Sequence, residues 1–253
     1  MKIARFQWQG KVHWGIVEDD TIFGLQGDLY GDFTRGDELC HLQDVRLLAP
    51  VEPSITIACG MNYMEHIKEM GWEVPGEPAL FFKTLNTLVG PEDNVIYPKV
   101  ARDLRYEGEL CGVIKRKAKD VKEEEALDYI LGYTCGNDLT AMDLTSKDGR
   151  LTRAKAFDTS GALGPFLVTG LDPHNVTIKS RLNGQTKQNG NTGSMVFDIE
   201  KLISYISAFM TLQPGDVIWT GTPEGGACPV KVGDVTEVEI EEIGILRNKI
   251  VAP

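Results

Sequence analysis

The sequence has 253 residues, of which 42% are hydrophobic and 25% are charged, as in ordinary globular proteins. Its formal net charge of −11 argues against nucleic acid or an anionic membrane as the main partner. Neither a signal-peptide pattern nor a run of about eighteen apolar residues occurs, so we expect a cytoplasmic protein without a membrane span. The 5 cysteines are widely spread without a C-x-x-C pair, which favours free thiols over disulfides.

The N-terminal segment is predicted to form a small β subdomain over residues 1–53. Short apolar runs separated by turn residues indicate a β-meander of three strands over residues 2–28, too small to be stable alone. Residues 27–44 are polar and rich in turn residues, and we expect a loop there. The proline-rich stretch near Pro53 marks the start of a second domain, residues 54–253.

Many short strands and few helices predict a β-rich α+β fold for that second domain. A helix is predicted over residues 63–70, with Asn62 as its cap and Gly71 at its end. A second, amphipathic helix is predicted over residues 121–132.

Two glutamates interrupt an apolar strand pattern in the centre of the chain. Glu107 and Glu109 are two residues apart, so in a strand their side chains share one face. Two like charges on one face repel unless a cation lies between them. This pattern alone fits two interpretations: the glutamates are a pair of metal ligands, or they lie on the solvated face of an edge strand.

A third carboxylate, Asp138, follows another apolar strand. An unpaired buried carboxylate is costly, so Asp138 needs a partner. Carboxylates without a nearby histidine or cysteine pattern suit Mg²⁺, Mn²⁺ or Ca²⁺ rather than zinc.

His66 and Glu69 are three residues apart on the predicted helix and therefore face the same way. They are either an exposed pair or a catalytic dyad in which Glu69 orients His66 for proton transfer. The Gly- and Pro-rich residues 72–78 that follow suit a mobile lid over a pocket.

Four motifs in order resemble the fumarylacetoacetate hydrolase superfamily: Y-E-G-E-L, G-Y-T-x-x-N-D, A-K-x-F-D and G-D-V-I-x-T-G-T-P. The resemblance covers the chain from about Ser54 onward and implies the family's mixed β-sandwich roll. It also implies a triad of metal ligands, Glu107, Glu109 and Asp138, for Mg²⁺ or Mn²⁺, with Ca²⁺ as a substitute in a crystal.

The same resemblance assigns further roles. The catalytic residues it implies are His66, Glu69 and Lys155, and the substrate-binding residues are Asn62, Tyr63, Lys83, Gly221 and Thr222. The sequence departs from the family after Asp138, where Met142 and Thr145 replace the usual arginine and glutamine. Lys147, Arg150 or Arg153 are candidates to supply the missing charge.

We therefore expect a divalent-metal-dependent enzyme that acts on 2-oxo acids, either acylpyruvates or related 2-oxo dicarboxylates. It would use C–C bond hydrolysis or decarboxylation through a metal-stabilised enolate. An isomerase of the 2-hydroxyhepta-2,4-diene-1,7-dioate type is an alternative, and a non-catalytic Ca²⁺-stabilised β-module is an alternative of another class. Similarity to the family also predicts a homodimer.

Overall fold

The structure, a computed structural model, describes residues 1–148 and 151–253. Within these ranges the chain forms twenty strands. In order they are β1 (Lys2–Trp8), β2 (Lys11–Glu18), β3 (Thr21–Gly27), β4 (Phe33–His41), β5 (Arg46–Leu47), β6 (Thr56–Gly60), β7 (Ala79–Lys83), β8 (Leu88–Val89), β9 (Asn94–Ile96), β10 (Leu104–Tyr106), β11 (Gly108–Ile114), β12 (Ile130–Asp138), β13 (Thr140–Ala141), β14 (Gly161–Val168), β15 (Thr177–Leu182), β16 (Gln185–Asn191), β17 (Val217–Trp219), β18 (Cys228–Val230), β19 (Val235–Ile240) and β20 (Gly244–Val251).

Helices are few and short. The described residues form four α-helices: α1 (Met64–Met70), α2 (Met142–Asp148), α3 (Thr152–Lys155) and α4 (Ile199–Phe209). They also form five short 3₁₀ helices: Leu42–Asp44, Leu85–Thr87, Glu123–Tyr129, Pro173–Asn175 and Thr192–Ser194. The β-rich α+β class predicted from the sequence is confirmed.

One large sheet carries most of the strands. Its neighbours run in the order β4-β3-β2-β1-β14-β12-β11-β17-β6-β7, with β5 paired to β1 and β8 paired to β14. A five-stranded sheet has the order β16-β15-β19-β20-β9, and a small one has the order β13-β10-β18. The larger two sheets are stacked as a sandwich, because apolar side chains from both, including Leu110, Ile178 and Val238, share one buried cluster with α4.

The N-terminal strands extend the large sheet. Strands β1, β2 and β3 form the predicted antiparallel meander, and β1 also pairs with β14. The prediction of a loop over residues 27–44 was wrong, because β4 pairs with β3 in this stretch. Most side chains of β4 are exposed, so this edge strand lacks the apolar alternation that indicates a strand.

The prediction of an amphipathic helix over residues 121–132 was also wrong, both in the type of structure and in its extent. A 3₁₀ helix occupies Glu123–Tyr129, and strand β12 begins directly afterwards at Ile130. Gly132 belongs to this strand, where a Cβ would lie 2.4 Å from the carbonyl oxygen of Val168. The glycine therefore permits close backbone approach within the sheet and does not terminate a helix.

Two further expectations concern whole-chain properties. All 5 cysteines are free thiols, and four of them are buried. Among the helices of the described residues, none has the length and apolar character required to cross a bilayer.

Candidate active site

The three predicted metal ligands lie together because strands β11 and β12 are paired. Gly108 lies opposite Asn137 and Glu109 lies opposite Gly136, so Asp138 reaches the level of Glu107. The backbone N–H of Asp138 donates to the carbonyl oxygen of Glu107 at 2.9 Å. All three carboxylates are buried, and one oxygen atom from each lies within 4.8 Å of the others.

Two lysines from other parts of the fold pair with two of these carboxylates. The Lys155 ammonium donates to Glu107 Oε2 at 2.8 Å and to Asp138 Oδ2 at 2.6 Å. The Lys83 ammonium, at the end of β7, donates to Asp138 Oδ1 at 2.5 Å. Burial alone would lower the pKa of Lys155, but the nearby Asp138, Glu107 and Glu109 outweigh it and raise this pKa above its ordinary value.

For Lys83, the effect of burial on the pKa outweighs the effect of the neighbouring carboxylate. Its side chain is completely buried, and this burial lowers its pKa although the ion pair with Asp138 opposes the shift. Its ammonium also donates to the Lys155 carbonyl oxygen at 2.8 Å and to Ser160 Oγ at 3.3 Å. All three donors of this ammonium therefore have protein partners.

Glu109 is the carboxylate of the three that has no ion pair with a described lysine or arginine. Its Oε2 atom accepts a hydrogen bond from the Gly221 N–H at 2.9 Å. Burial, together with the charges of Asp138 and Glu107, raises the pKa of Glu109 well above its ordinary value. With all three carboxylates ionised, the cluster carries one more negative than positive charge.

This donor set fits a hard divalent cation. Three buried carboxylates offer oxygen ligands only, as Mg²⁺ and Mn²⁺ prefer. A divalent ion would also compensate the excess negative charge that leaves Glu109 without an ionic partner. Neighbouring groups hold the carboxylates in place: Thr140 Oγ1 donates to Glu107 Oε1 at 2.8 Å.

The predicted dyad is formed on helix α1. Nδ1 of the buried His66 lies 2.9 Å from Glu69 Oε2. The same Glu69 oxygen accepts the Gly225 N–H at 3.2 Å, so the pair links α1 to the loop after β17. Trp72 contacts the His66 ring edge-on, with ring centroids 5.8 Å apart. Helix α1 ends at Gly71, whose φ of 68° is left-handed, as the sequence predicts.

A cavity of about 220 Å³ connects the dyad with the carboxylates. Its polar lining comes from the three carboxylates, Lys155, His66, Thr140, Thr145, Gly221 and Thr222. The remaining lining residues are mostly apolar and are Cys59, Gly60, Met61, Trp72, Ala79, Phe81, Met142 and Leu151. His66 of the predicted dyad and the three predicted metal ligands therefore face a single cavity.

Three residues predicted to bind substrate lie outside this lining. The Asn62 side-chain amide donates to the carbonyl oxygens of Phe197 and Thr220 and accepts from the Phe197 N–H. These hydrogen bonds fix the chain before α1. It does not cap the helix, because the residue at the cap position is Tyr63, which is fully buried. Lys83 is buried behind Asp138. Substrate contact by these three residues stays a prediction. The contacts that the structure shows for them are with other residues of the protein.

Gly221 and Thr222 do line the cavity, with part of their hydrogen-bonding capacity already engaged. The Thr222 hydroxyl donates to the Gly108 carbonyl oxygen at 2.9 Å and accepts from Gln188 Nε2 at 2.7 Å. Gly108 stands between Glu107 and Glu109, so these hydrogen bonds hold the segment that carries both glutamates. Substrate binding by Gly221 and Thr222 stays a prediction.

Sequence reasoning missed two residues of this arrangement. Thr140 lies two positions after Asp138, and the alternation of strand side chains was a usable signal for it. Gln188 lies on β16 of the other large sheet and is fully buried. Nothing in its polar hairpin sequence indicates a contact with Thr222.

The positions that depart from the family pattern, Met142 and Thr145, both line the cavity. Of the three candidates for the missing charge, Lys147 pairs with Asp143 at 3.2 Å on the exposed side of α2. Arg153 is exposed on α3, and Arg150 lies outside the described residues.

Comparison with known proteins gives consistent similarities. The family described as fumarylacetoacetate (FAA) hydrolase, C-terminal, matches residues 56–251, and the family Rv2993c-like, N-terminal, matches residues 1–50. Oxaloacetate tautomerase FAHD2B, mitochondrial, from Homo sapiens is 43% identical over 82% of this chain and 70% of its own length.

Two solved structures show the same similarity over the whole chain. The first is 5-carboxymethyl-2-hydroxymuconate delta-isomerase from Mycobacterium smegmatis, with a TM-score of 0.93, 39% identity and full coverage of both chains. The second is fumarylacetoacetate hydrolase from the psychrophilic Exiguobacterium antarcticum, with a TM-score of 0.89, 34% identity and full coverage of both chains. The chain therefore has the fold of these two proteins over its whole length.

Proposed function

Because the chain belongs to the fumarylacetoacetate hydrolase family, we propose that it is a Mg²⁺- or Mn²⁺-dependent enzyme acting on 2-oxo acids such as acylpyruvates. The reaction proposed is C–C bond hydrolysis or decarboxylation through an enolate. One observation carries the proposal: three buried carboxylates within 4.8 Å of one another share a cavity with Lys155 and His66.

The proposed metal ligands are Glu107, Glu109 and Asp138. A hard divalent ion held by them would polarise the C2 carbonyl of a 2-oxo acid and stabilise the negative charge of an enolate. The side chains that surround the site have separate tasks, which follow from their contacts.

Lys155 supplies a fixed positive charge beside the carboxylates. Its raised pKa keeps the ammonium protonated at neutral pH. A charge that is already oriented by Glu107 and Asp138 can stabilise developing negative charge without reorganisation.

His66 is the proposed proton carrier, and Glu69 is the residue that orients it. In hydrolysis of an acylpyruvate, His66 takes a proton from water, and the resulting hydroxide adds to the acyl carbonyl. The bond between that carbon and C3 then breaks, its electron pair passes to C3, and a carboxylic acid and the enolate of pyruvate are formed. A proton delivered to C3 completes the products.

Keto–enol or double-bond isomerisation is the second candidate reaction. It needs the same enolate and the same proton carrier but no water. Two similar proteins favour it, since one relative is an oxaloacetate tautomerase and one structural neighbour is a delta-isomerase. Turnover assays separate the two reactions, because isomerisation leaves the carbon skeleton intact.

The experiment is a turnover panel of acylpyruvates, oxaloacetate and 2-hydroxydienedioates, with and without Mg²⁺, followed by loss of enol absorbance and by product analysis. We expect Mg²⁺-dependent turnover of at least one 2-oxo acid. Binding of Ca²⁺ or Mg²⁺ that raises stability without any turnover would contradict the proposal and favour a metal-stabilised β-module.

A first prediction concerns the dyad. Replacing His66→Ala should lower kcat about 100-fold or more, because general acid–base catalysis contributes on this scale. Mg²⁺ affinity, measured by calorimetry, should remain unchanged. The matched control is His41→Ala, on the exposed edge strand β4, which should leave kcat unchanged. Full turnover in His66→Ala would remove the dyad from the mechanism.

The cytoplasmic location and the homodimer expected from the sequence stay predictions. Light scattering of the purified chain measures the second directly, and a monomeric mass at micromolar concentration would contradict it.

A further inference from the structure

The cavity has two chemically different parts. The carboxylates and Lys155 form one part. The other part is apolar and is formed by Met61 and Trp72 on either side of α1, Ala79 and Phe81 of β7, Met142 of α2 and Leu151 before α3. Two of these, Trp72 and Phe81, are aromatic and offer large apolar surfaces.

The fixed positive charge of the cavity lies where the polar part meets the apolar part, because the Lys155 ammonium is 5.3 Å from the centre of the Phe81 ring. Among the described residues that line the cavity, Lys155 is the lysine or arginine present, and it bonds to Glu107 and Asp138. Lys83 has no exposed side-chain surface and has three protein partners. Lys147 pairs with Asp143 outside the cavity.

The polar side chains nearest the apolar part are also engaged. Thr145 Oγ1 donates to the Met142 carbonyl oxygen at 2.8 Å, so this hydroxyl donor is used within helix α2. His66 bonds to Glu69, an acidic partner that disfavours a second carboxylate nearby.

We infer that the substrate is a 2-oxo acid whose chain beyond the reacting carbons is hydrocarbon, a monocarboxylate rather than a dicarboxylate. This inference rests on the proposed function, because the 2-oxo carboxylate must occupy the polar part. A second carboxylate in the apolar part would lose its water, and the neighbouring cation, Lys155, is already bonded to Glu107 and Asp138. A hydrocarbon chain instead gains about fourfold in affinity for each methylene it buries.

The size of the cavity limits the chain to a short one. About 220 Å³ suits a small molecule rather than a long acyl chain. Trp72 is 41% exposed and lines the apolar part, so it stands at the boundary between the cavity and solvent.

The test compares two unreactive probes of equal length, 2-oxohexanoate and 2-oxoadipate, which differ only in a terminal methyl or carboxylate group. Each is titrated calorimetrically into the full chain in the presence and absence of saturating Mg²⁺. We expect 2-oxohexanoate to bind at least tenfold more tightly than 2-oxoadipate. Equal affinities, or a preference for 2-oxoadipate, would overturn the inference.

A variant tests the cause of this preference. Met142→Arg adds a cation to the apolar part, and the affinity for 2-oxoadipate should rise at least tenfold relative to that for 2-oxohexanoate. Val12→Arg is the control for added charge, because Val12 is exposed on strand β2 of the N-terminal meander. Its ligand preference should equal that of the wild type, and melting temperatures show that both variants fold.

Arg150 is tested separately, since it precedes the lining residue Leu151 in sequence and lies outside the described residues. The inference predicts the same ligand preference in Arg150→Ala as in the wild type. A tenfold or greater loss of 2-oxoadipate affinity in this variant would assign a cation to the apolar part and overturn the inference.

The outcomes distinguish this inference from the proposed function. If both probes bind equally and need Mg²⁺, the function stands and the inference alone fails. If neither probe binds, or if binding does not depend on Mg²⁺, the proposed function is contradicted. The inference is then contradicted as well, because it rests on that function.

Discussion

Glu109 determines the electrostatic character of the site at the scale of single residues. Glu107 and Asp138 have lysine partners, whereas Glu109 has the N–H of Gly221. Burial, with Asp138 as the next contribution, raises the pKa of Glu109 well above its ordinary value. In the metal-free protein the ionised form of this carboxyl is therefore destabilising.

A prediction about stability follows from this pKa. A carboxyl whose folded-state pKa is raised contributes stability below its ordinary pKa and loses that contribution as pH rises through the raised value. Replacing Glu109→Gln removes the charge and leaves two carboxylates with two lysines. The metal-free variant should melt at a higher temperature than the wild type at pH 8, and the difference should decrease as the pH is lowered.

The same variant should lose metal affinity. We expect Mg²⁺ to bind at least about tenfold more weakly to Glu109→Gln, because the variant lacks one anionic ligand. Wild-type Mg²⁺ binding should release a proton and should weaken as pH falls, which calorimetry in two buffers of different protonation enthalpy measures. Glu38→Gln, on the exposed edge strand β4, is the control. Equal Mg²⁺ affinity in wild type and Glu109→Gln would contradict the assigned ligand set.

The sequence predicts part of this residue-scale arrangement. Strand alternation indicates that Glu107 and Glu109 share a face, and the apolar run before Asp138 indicates a buried carboxylate. The pairing of Lys155 and Lys83 with these carboxylates is not predictable from spacing, because the lysines come from α3 and β7.

At the scale of elements, Gly108 shows how close packing supports the site. It opens strand β11 between the two glutamates, and a Cβ there would lie 2.6 Å from Gln188 Oε1 and 3.2 Å from Val238 Cγ1. The missing side chain therefore lets the five-stranded sheet approach the ligand strand.

Replacing Gly108→Val should consequently destabilise the protein. Inserting side-chain atoms into a packed interface costs about 1–3 kcal/mol of unfolding free energy. Urea denaturation measures this loss, and Mg²⁺ affinity should fall with it because the glutamates shift. Gly76→Val is the matched control, since no atom lies within 4 Å of a Cβ at Gly76. A stable Gly108→Val variant with wild-type metal affinity would show that the ligand strand tolerates displacement.

The errors of prediction at this scale have a common cause. Residues 121–132 show helical spacing of apolar side chains, yet Ile130 and Leu131 contribute to β12. Strand β4 was missed because its side chains are largely exposed. In both places pairing with a neighbouring strand, which is a long-range contact, outweighs the local pattern.

At the scale of the whole molecule, the site is assembled from segments that are distant in sequence. The carboxylates of β11 and β12, Lys155 of α3, His66 of α1 and the loop after β17 converge on one cavity, and Lys83 of β7 pairs with Asp138 outside its lining. No local pattern predicts such convergence. The resemblance of the four motifs to a known family is what predicts it, and the family match over residues 56–251 agrees with that resemblance.

The stacked sheets place the carboxylates and the apolar lining of the cavity on different kinds of element. The ligand strand β11 lies between β12 and β17 in the large sheet and is buried throughout. The apolar part of the cavity uses short elements instead, namely helix α2, the residues around α1 and the end of the large sheet at β7. Changes in substrate preference can therefore arise without disturbing the ligands.

The most direct measurement of the central claim is anomalous diffraction from crystals grown with Mn²⁺ and oxalate, a stable analogue of the 2-oxo carboxylate. The account predicts one Mn²⁺ peak about 2.1–2.2 Å from oxygen atoms of Glu107, Glu109 and Asp138, with oxalate chelating the same ion. Lys155 and His66 should face the oxalate. An absent peak at this position, with the Lys155 ammonium remaining between Glu107 and Asp138, would contradict the account.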